Sequence, residues 1–333
     1  MLRIHFDDMI KEFTRVLIKA GFTNDRAELC AKIFAETSRD GVYTHGINRF
    51  ARFVQTIRKG NIDVNAVPEK VASFGALERW DGHLGPGNLN AYVCMQRAVD
   101  IAKEHGIGCV ALRNTNHWMR PGAYGILAAD NNCIGICWSN TVPIMPPWGG
   151  NENKLGNNPI VFAVPRQGGH IILDMALSLY SYGKMETYAR QNEPLPFDAG
   201  WDSQGNITRD AQAILDAKRP FPIGYWKGSG FALVLDLITM ILSGGKSTYE
   251  IGLLEKETCI SQTFIAINYQ SLPDNNLVLK SINDVLDDMH SASLQNGSNG
   301  IFYPGERMMH TRKENMEKGI PVEDIFWKQV LDL

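Results

Sequence analysis

The chain has 333 residues, of which 44% are hydrophobic and 21% charged, a composition that excludes a disordered or collagen-like protein. Its 33 basic side chains against 36 acidic ones leave a net charge of -3, which argues against electrostatic capture of nucleic acid. At this length it can bury one large core or two modest ones.

The amino terminus, Met1 to Phe13, carries charges and no continuous apolar run, so it does not read as a secretory signal. The longest apolar stretch, Phe231–Leu242, contains Asp236 and is too short to span a bilayer. The six cysteines are irregularly spaced in a chain too large to need staples, and read as reduced thiols. The default expectation is a cytoplasmic enzyme with a small-molecule substrate, and no nucleic-acid or membrane partner.

In chain order, the first elements are helices. Met9, Ile10, Phe13, Val16, Leu17 and Ala20 recur at helical spacing, and Gly21 supplies a stop. A second helix starts near Thr23–Asn24, buries Ala27, Cys30, Ile33 and Phe34, and ends by Gly41. A third is predicted to begin with Thr44 as its cap, with Ile47, Phe50, Phe53, Val54 and Ile57 inside and Gly60 as its stop.

Beyond Pro68, short β-rich runs at 71–74, 107–112, 134–139, 160–164 and 171–175 alternate with helical stretches at 88–105 and 122–130. That alternation predicts an α/β layer architecture. Residues 194–205 read as a long loop, and a loop of that length in a compact enzyme suggests function. Phe231–Leu242 is apolar nearly all round and reads as a central buried helix. A strand at 259–269 and helices at 277–289 and 322–331 complete the chain, with no internal repeat.

Several chemistries lose their usual support. A Rossmann fingerprint needs its glycines after a strand and at the start of a helix, whereas Gly106 and Gly108 precede a β-rich run. Gly245-Lys246-Ser247 resembles the end of a phosphate-binding P-loop, but Met240 stands where that loop needs glycine. Cys133 and Cys137 share a strand-like run and no histidine pair has helical ligand spacing, so no metal site is expected. No nucleophile elbow of the Gly-x-Ser-x-Gly type is present.

Three segments carry candidate chemistry. In Thr44-His45-Gly46-Ile47-Asn48-Arg49-Phe50, His45 is read in the first turn of the third helix with Arg49 on its face. Such a pair offers a proton carrier beside a fork that grips a carboxylate, the two roles that a 2-keto or 2-hydroxy acid requires. A helix-start histidine beside a solvated arginine fits the same residues.

The second segment, Arg113 to Arg120, follows a strand in the place where α/β proteins gather ligands, and His117 and Arg120 join the candidates there. Packing accounts equally well for Trp118. The third, Tyr225 to Gly230, sets small residues and Lys227 before a helix, where backbone amides can approach an anion or a glycine turn can simply pack closely. Asp174 is a candidate acceptor for ribose hydroxyls, or a cap for the helix that follows it.

Taken together, the segments 41–50, 111–120, 135–138, 145–149, 181–183 and 224–230 resemble, in the same order, the malate/L-lactate dehydrogenase family, whose nicotinamide-binding fold is not Rossmann. His117-Trp-Met-Arg120 and Pro146-Pro-Trp-Gly149 resemble the branch acting on a 2-keto acid of sugar origin; malate, L-lactate, ureidoglycolate and cyclic imino acids are the family's alternatives, and a non-catalytic nucleotide sensor is another. The resemblance implies an α/β layered fold with a mixed sheet, binding NAD(P). Residues 1–68, joined by helices from about 300–333, would form a helical subdomain, and 69–299 the nucleotide- and substrate-binding domain.

It also implies that His45 is the general acid and that Thr44, Arg49, His117 and Arg120 hold the substrate. The nucleotide would lie along His170, Ile171, Ile172, Leu173, Asp174, Met175 and Ala176, then Trp226 and Lys227, then the turn Gly305-Glu306-Arg307. A homodimer with shared active sites is implied as well. Two departures stand out: Gly156-Asn-Asn-Pro159 replaces Gly-Thr-Asn-Pro, and Gly305-Glu-Arg307 replaces Gly-His-Glu. Arg307 leaves NADH, which the resemblance favours slightly, in competition with NADPH.

Overall fold

A computed structural model describes residues 2–254, 256–273 and 275–333. Strand β1 (Leu2–Ile4) leads into α1 (Phe6–Lys19), α2 (Asn24–Arg39) and α3 (Ile47–Arg58). Their apolar faces meet in one cluster, where Phe13 stacks on Phe50 at 4.0 Å and Phe34 meets Phe50 edge-on at 5.2 Å.

The central element is a seven-stranded sheet. Its strands are β2 (Glu69–Phe74), β3 (Leu77–Asp81), β4 (Ile107–Thr115), β5 (Ile134–Ser139), β6 (Ile160–Val164), β7 (Ile171–Met175) and β10 (Ile260–Ile267). Between β7 and β10 lie α6 (Tyr182–Gln191), the short hairpin β8 (Gly200–Trp201) and β9 (Ile207–Thr208), and α7 (Ala211–Ala217). The sheet order is β2-β3-β4-β10-β5-β6-β7. Only β3 and β4 run parallel among these neighbours, so the sheet is mixed.

On one face, α4 (Gly87–His105) and α5 (Gly122–Asp130) cover a core that includes Met95, Leu112, Trp118 and Phe264. On the other lies α8 (Trp226–Ser243), followed by the single turn α9 (Thr248–Gly252). After β10 come α10 (Asn275–Ser291), α11 (Glu306–Lys318), β11 (Ile320–Val322) and α12 (Asp324–Leu331). Strand β11 pairs antiparallel with β1, and Phe326, Trp327 and Val330 of α12 join the aromatic cluster of the first helices.

Four expectations need correction. Strand β3 escapes the sequence pattern because charged residues occupy it; buried Glu78 is paired with Arg97 at 2.7 Å. The stretch 194–205 is not a bare loop: it enters a small lobe with its own core of Met185, Leu195, Ala199, Ala211 and Ile214. Helix α8 is 18 residues long rather than 12, long and apolar enough to cross a membrane by composition. Nor is it buried all round. Ala232, Leu235, Thr239 and Ser243 face the sheet, while Phe231, Val234, Leu237, Ile238 and Ile241 are exposed, Ile241 by 61%.

The fourth concerns the start of α3. Thr44 is not its cap, because Tyr43–His45 form a separate 3-10 turn and the helix begins only after Gly46. The N–H of Ile47 donates instead to the buried Ser38 Oγ at 2.9 Å, a hydroxyl from α2. A Cβ at Gly46 would lie 2.2 Å from that oxygen, so only glycine fits there.

Candidate active site

Two cavities meet at the turn before α3. The larger, about 820 Å³, runs from that turn past the end of β4 to β7 and the start of α11. The smaller, about 350 Å³, lies between α3, α6 and the segment before β10. Both are lined by Thr44, His45, His117, Thr141, Asn157 and Ser181, which therefore form the partition between them.

The local folding of this partition is over-determined. His117 follows the end of β4, where Asn116 Nδ2 donates to Leu84 O at 2.7 Å and Gly85 O at 3.0 Å. Helix α4 abuts the same loop, and a Cβ at Gly87 would stand 2.1 Å from Asn116 O. The His45 and His117 rings lie nearly parallel, 14° apart with centroids at 5.9 Å. His117 Nδ1 accepts the Met119 N–H at 3.0 Å, which places the proton of neutral His117 on Nε2. His45 Nδ1 and Thr44 Oγ1 are 3.2 Å apart.

Both imidazoles are held neutral near pH 7. Burial, then the charges of Arg49 and Arg120, lower His45 to about 4. Burial also holds His117 well below its usual range, with Arg49, His45 and Arg52 adding to the effect.

Of the residues singled out in the sequence, Thr44, His45, His117, Arg120, Ile172, Leu173, Asp174, Ala176, Gly305 and Arg307 line the larger cavity. Arg49 lines the smaller one. Six do not line either: His170, Ile171, Met175, Trp226, Lys227 and Glu306. His170 Nε2 is 2.9 Å from Asp130 Oδ1, and Glu306 accepts the Tyr303 N–H at 3.0 Å and lies 3.0 Å from His290 Nε2. Trp226 is 67% exposed at the start of α8.

Arg120 faces a carboxylate of this chain. Its Nη1 donates to Asp40 Oδ2 at 2.7 Å, and Arg312 grips the same carboxylate through Nε and Nη2, each at 2.7 Å. Burial would raise Asp40, but the hydrogen bond from Arg312 and the charges of Arg120 and Arg39 hold it at about 2. Asp174 Oδ2 accepts the Gly122 N–H at 2.9 Å, so it caps α5 and not the helix after it, whose cap is Ser181. Asn157, Thr141, Ser181, Arg52, Glu186 and Glu257 were not anticipated. Of these, only Asn157 and Ser181 fall in segments of family resemblance or departure from it.

The larger cavity suits a dinucleotide. Strand β7 is a sheet edge, and its Ile172 N–H turns outward to Pro304 O at 2.8 Å, so Asp174, two residues on, turns its own backbone groups the same way. Gly305, with φ of +96°, seats the turn before α11 against this edge, where a Cβ would lie 3.0 Å from Ile172 N. The amino terminus of α11 opens on the same space, which favours a phosphate.

The sequence profile of the malate/L-lactate dehydrogenase family matches residues 4–331. The chain belongs to the malate/L-lactate dehydrogenase family. As in its fold, so in sequence: it is 41% identical over 333 residues to 2,3-diketo-L-gulonate reductase of Haemophilus influenzae, with 100% of both chains covered. The same reductase of Pasteurella multocida is 42% identical, again with 100% of both chains covered. Among solved structures, sulfolactate dehydrogenase from Methanocaldococcus jannaschii superposes with a TM-score of 0.90 at 28% identity, over 99% of this chain and 96% of that one. Malate dehydrogenase from Entamoeba histolytica shares the fold, with a TM-score of 0.94 at 24% identity over 99% and 96% of the two chains. This family member is therefore an oxidoreductase with a mixed α/β fold, and membership in a family of dehydrogenases implies a nicotinamide cofactor.

Proposed function

We propose that the protein reduces 2,3-diketo-L-gulonate, or a 2-keto acid of similar sugar origin, with a reduced nicotinamide. The observation that carries this reading is the partition: two histidines stand between a dinucleotide-sized cavity and a smaller polar one that holds Arg49. The full-length identity to 2,3-diketo-L-gulonate reductases supports the substrate.

When bound, the nicotinamide supplies hydride to the carbonyl carbon. Arg49 grips the substrate carboxylate, and His117 Nε2–H steadies the carbonyl oxygen. His45 delivers the proton that converts that oxygen to a hydroxyl. A carboxylate on Arg49 relieves that arginine's share of the depressed proton affinity of His45, while burial, the larger cause, persists. Arg120 and Asp174 shape the wall beside this histidine.

In this reading the cofactor is NADH. Arg307, whose guanidinium lies over the Phe302 ring at 4.3 Å on the cavity wall, is the residue that would admit the 2′-phosphate of NADPH. The enzyme is a homodimer: the exposed apolar face of α8 supports a second copy, whose larger cavity Trp226 and Lys227, outside this chain's own cavities, would complete. Residues 1–68 with about 300–333 form a helical subdomain, supported by the β1–β11 pairing, and 69–299 the binding domain. Six free thiols suit the cytoplasm.

The test is absorbance of the reduced nicotinamide, with 2,3-diketo-L-gulonate and either NADH or NADPH. Rapid oxidation of NADH is expected, with NADPH slower. No oxidation of either by a protein that binds NADH would overturn the substrate.

A further inference from the structure

The smaller cavity carries more charge than a carboxylate grip needs. Besides Arg49 it is lined by Arg52, on the next turn of α3, by Glu186 of α6, and by Glu257, from the segment before β10. Among the described residues, neither Arg49, Arg52 nor Glu257 makes a side-chain hydrogen bond or an ion pair within 4.0 Å. Arg190, which also lines the cavity, is paired with Glu323 at 3.4 Å.

With the carbonyl at the two histidines and the carboxylate on Arg49, Arg52 and Glu257 are charges left to meet the rest of the substrate chain. A carboxylate is an acceptor only, so it welcomes hydroxyl donors and disfavours a second anion. We propose that Glu257 is a specificity-determining residue, accepting hydrogen bonds from hydroxyls on the substrate chain and repelling a second acidic group there, with Arg52 as its counter-charge. This rests on the reading of the protein as a 2-keto acid reductase and narrows it to polyhydroxylated monocarboxylates. Burial raises Glu257 while Arg49 and Arg52 oppose that rise, which is consistent with a carboxylate that faces both arginines inside the cavity.

The test compares kcat/KM for three substrates alike at the carboxylate and carbonyl: pyruvate, 2,3-diketo-L-gulonate and oxaloacetate. Glu257→Ala is expected to lower the ratio of kcat/KM for diketogulonate over pyruvate about tenfold or more. Glu257→Gln, which keeps an acceptor and the shape but removes the charge, is expected to raise oxaloacetate about tenfold relative to pyruvate. Unchanged ratios in both variants would overturn the proposal, as would an equal loss on all three substrates in Glu257→Gln, which marks a structural role. A wild-type protein that reduces none of the three would overturn the parent reading first, so the two failures are distinguishable.

Discussion

At the residue scale, the decisive feature is a pair of imidazoles kept neutral by burial and by arginines. An unfolded histidine binds a proton near its ordinary value of about 6.5, whereas folded His45 does so only at about 4 and His117 lower than usual. Between those limits the unfolded chain holds more protons, so stability is lost as the pH falls through that window. Protonating His117 Nδ1 also breaks its bond to the Met119 N–H. The melting temperature should therefore drop more between pH 7 and pH 5 in the wild type than in His117→Gln. Equal drops in the two would contradict this. That His45, Arg49 and His117 stand out in the sequence, and line the two cavities, follows from short polar runs with a recognisable chemical pairing. Glu257 and Thr141 do not stand out, since they reach the site from loops whose local sequence carries no periodicity and whose position depends on the whole sheet.

At the scale of elements, the turn that carries His45 depends on a break that periodicity does not reveal. Apolar spacing locates α3 correctly, but the residue before the helix looks like a cap only in one dimension. In space the cap is Ser38, nine residues earlier and on another helix, and it demands glycine at 46. Gly46→Ala forces the Cβ onto Ser38 Oγ and should cost about 1–3 kcal/mol, lowering both the denaturation midpoint and kcat/KM because His45 is the next residue. An unchanged midpoint would remove the close approach from the account. Strands β5, β6 and β7 match their sequence ranges because each writes a short, mainly apolar run, while β3 hides behind buried Glu78 and its arginine partner.

For the whole molecule, the apolar pattern of α8 admits two physical meanings, a helix buried in its own core or one shared with another chain. The sequence pattern favoured the first, and the exposed face of Leu237, Ile238 and Ile241 fits the second. In the proposed dimer Trp226 and Lys227 complete a neighbouring cavity, so Ile241→Lys should yield single chains by sedimentation, with unchanged circular dichroism and little turnover. Full turnover by single chains would contradict the shared site. The layered fold itself was legible from the alternation of strands and helices, whereas the meeting of the two cavities needed the packing of the chain ends onto the sheet.

The central claim is that His45 moves the proton at the junction of the two cavities without holding the cofactor. The direct measurement is His45→Ala, followed by NADH binding from its fluorescence and by NADH oxidation with 2,3-diketo-L-gulonate. Binding is expected within about twofold of wild type and turnover lower by about 10²–10⁴. Turnover within tenfold of wild type, or loss of NADH binding in a folded variant, would contradict it.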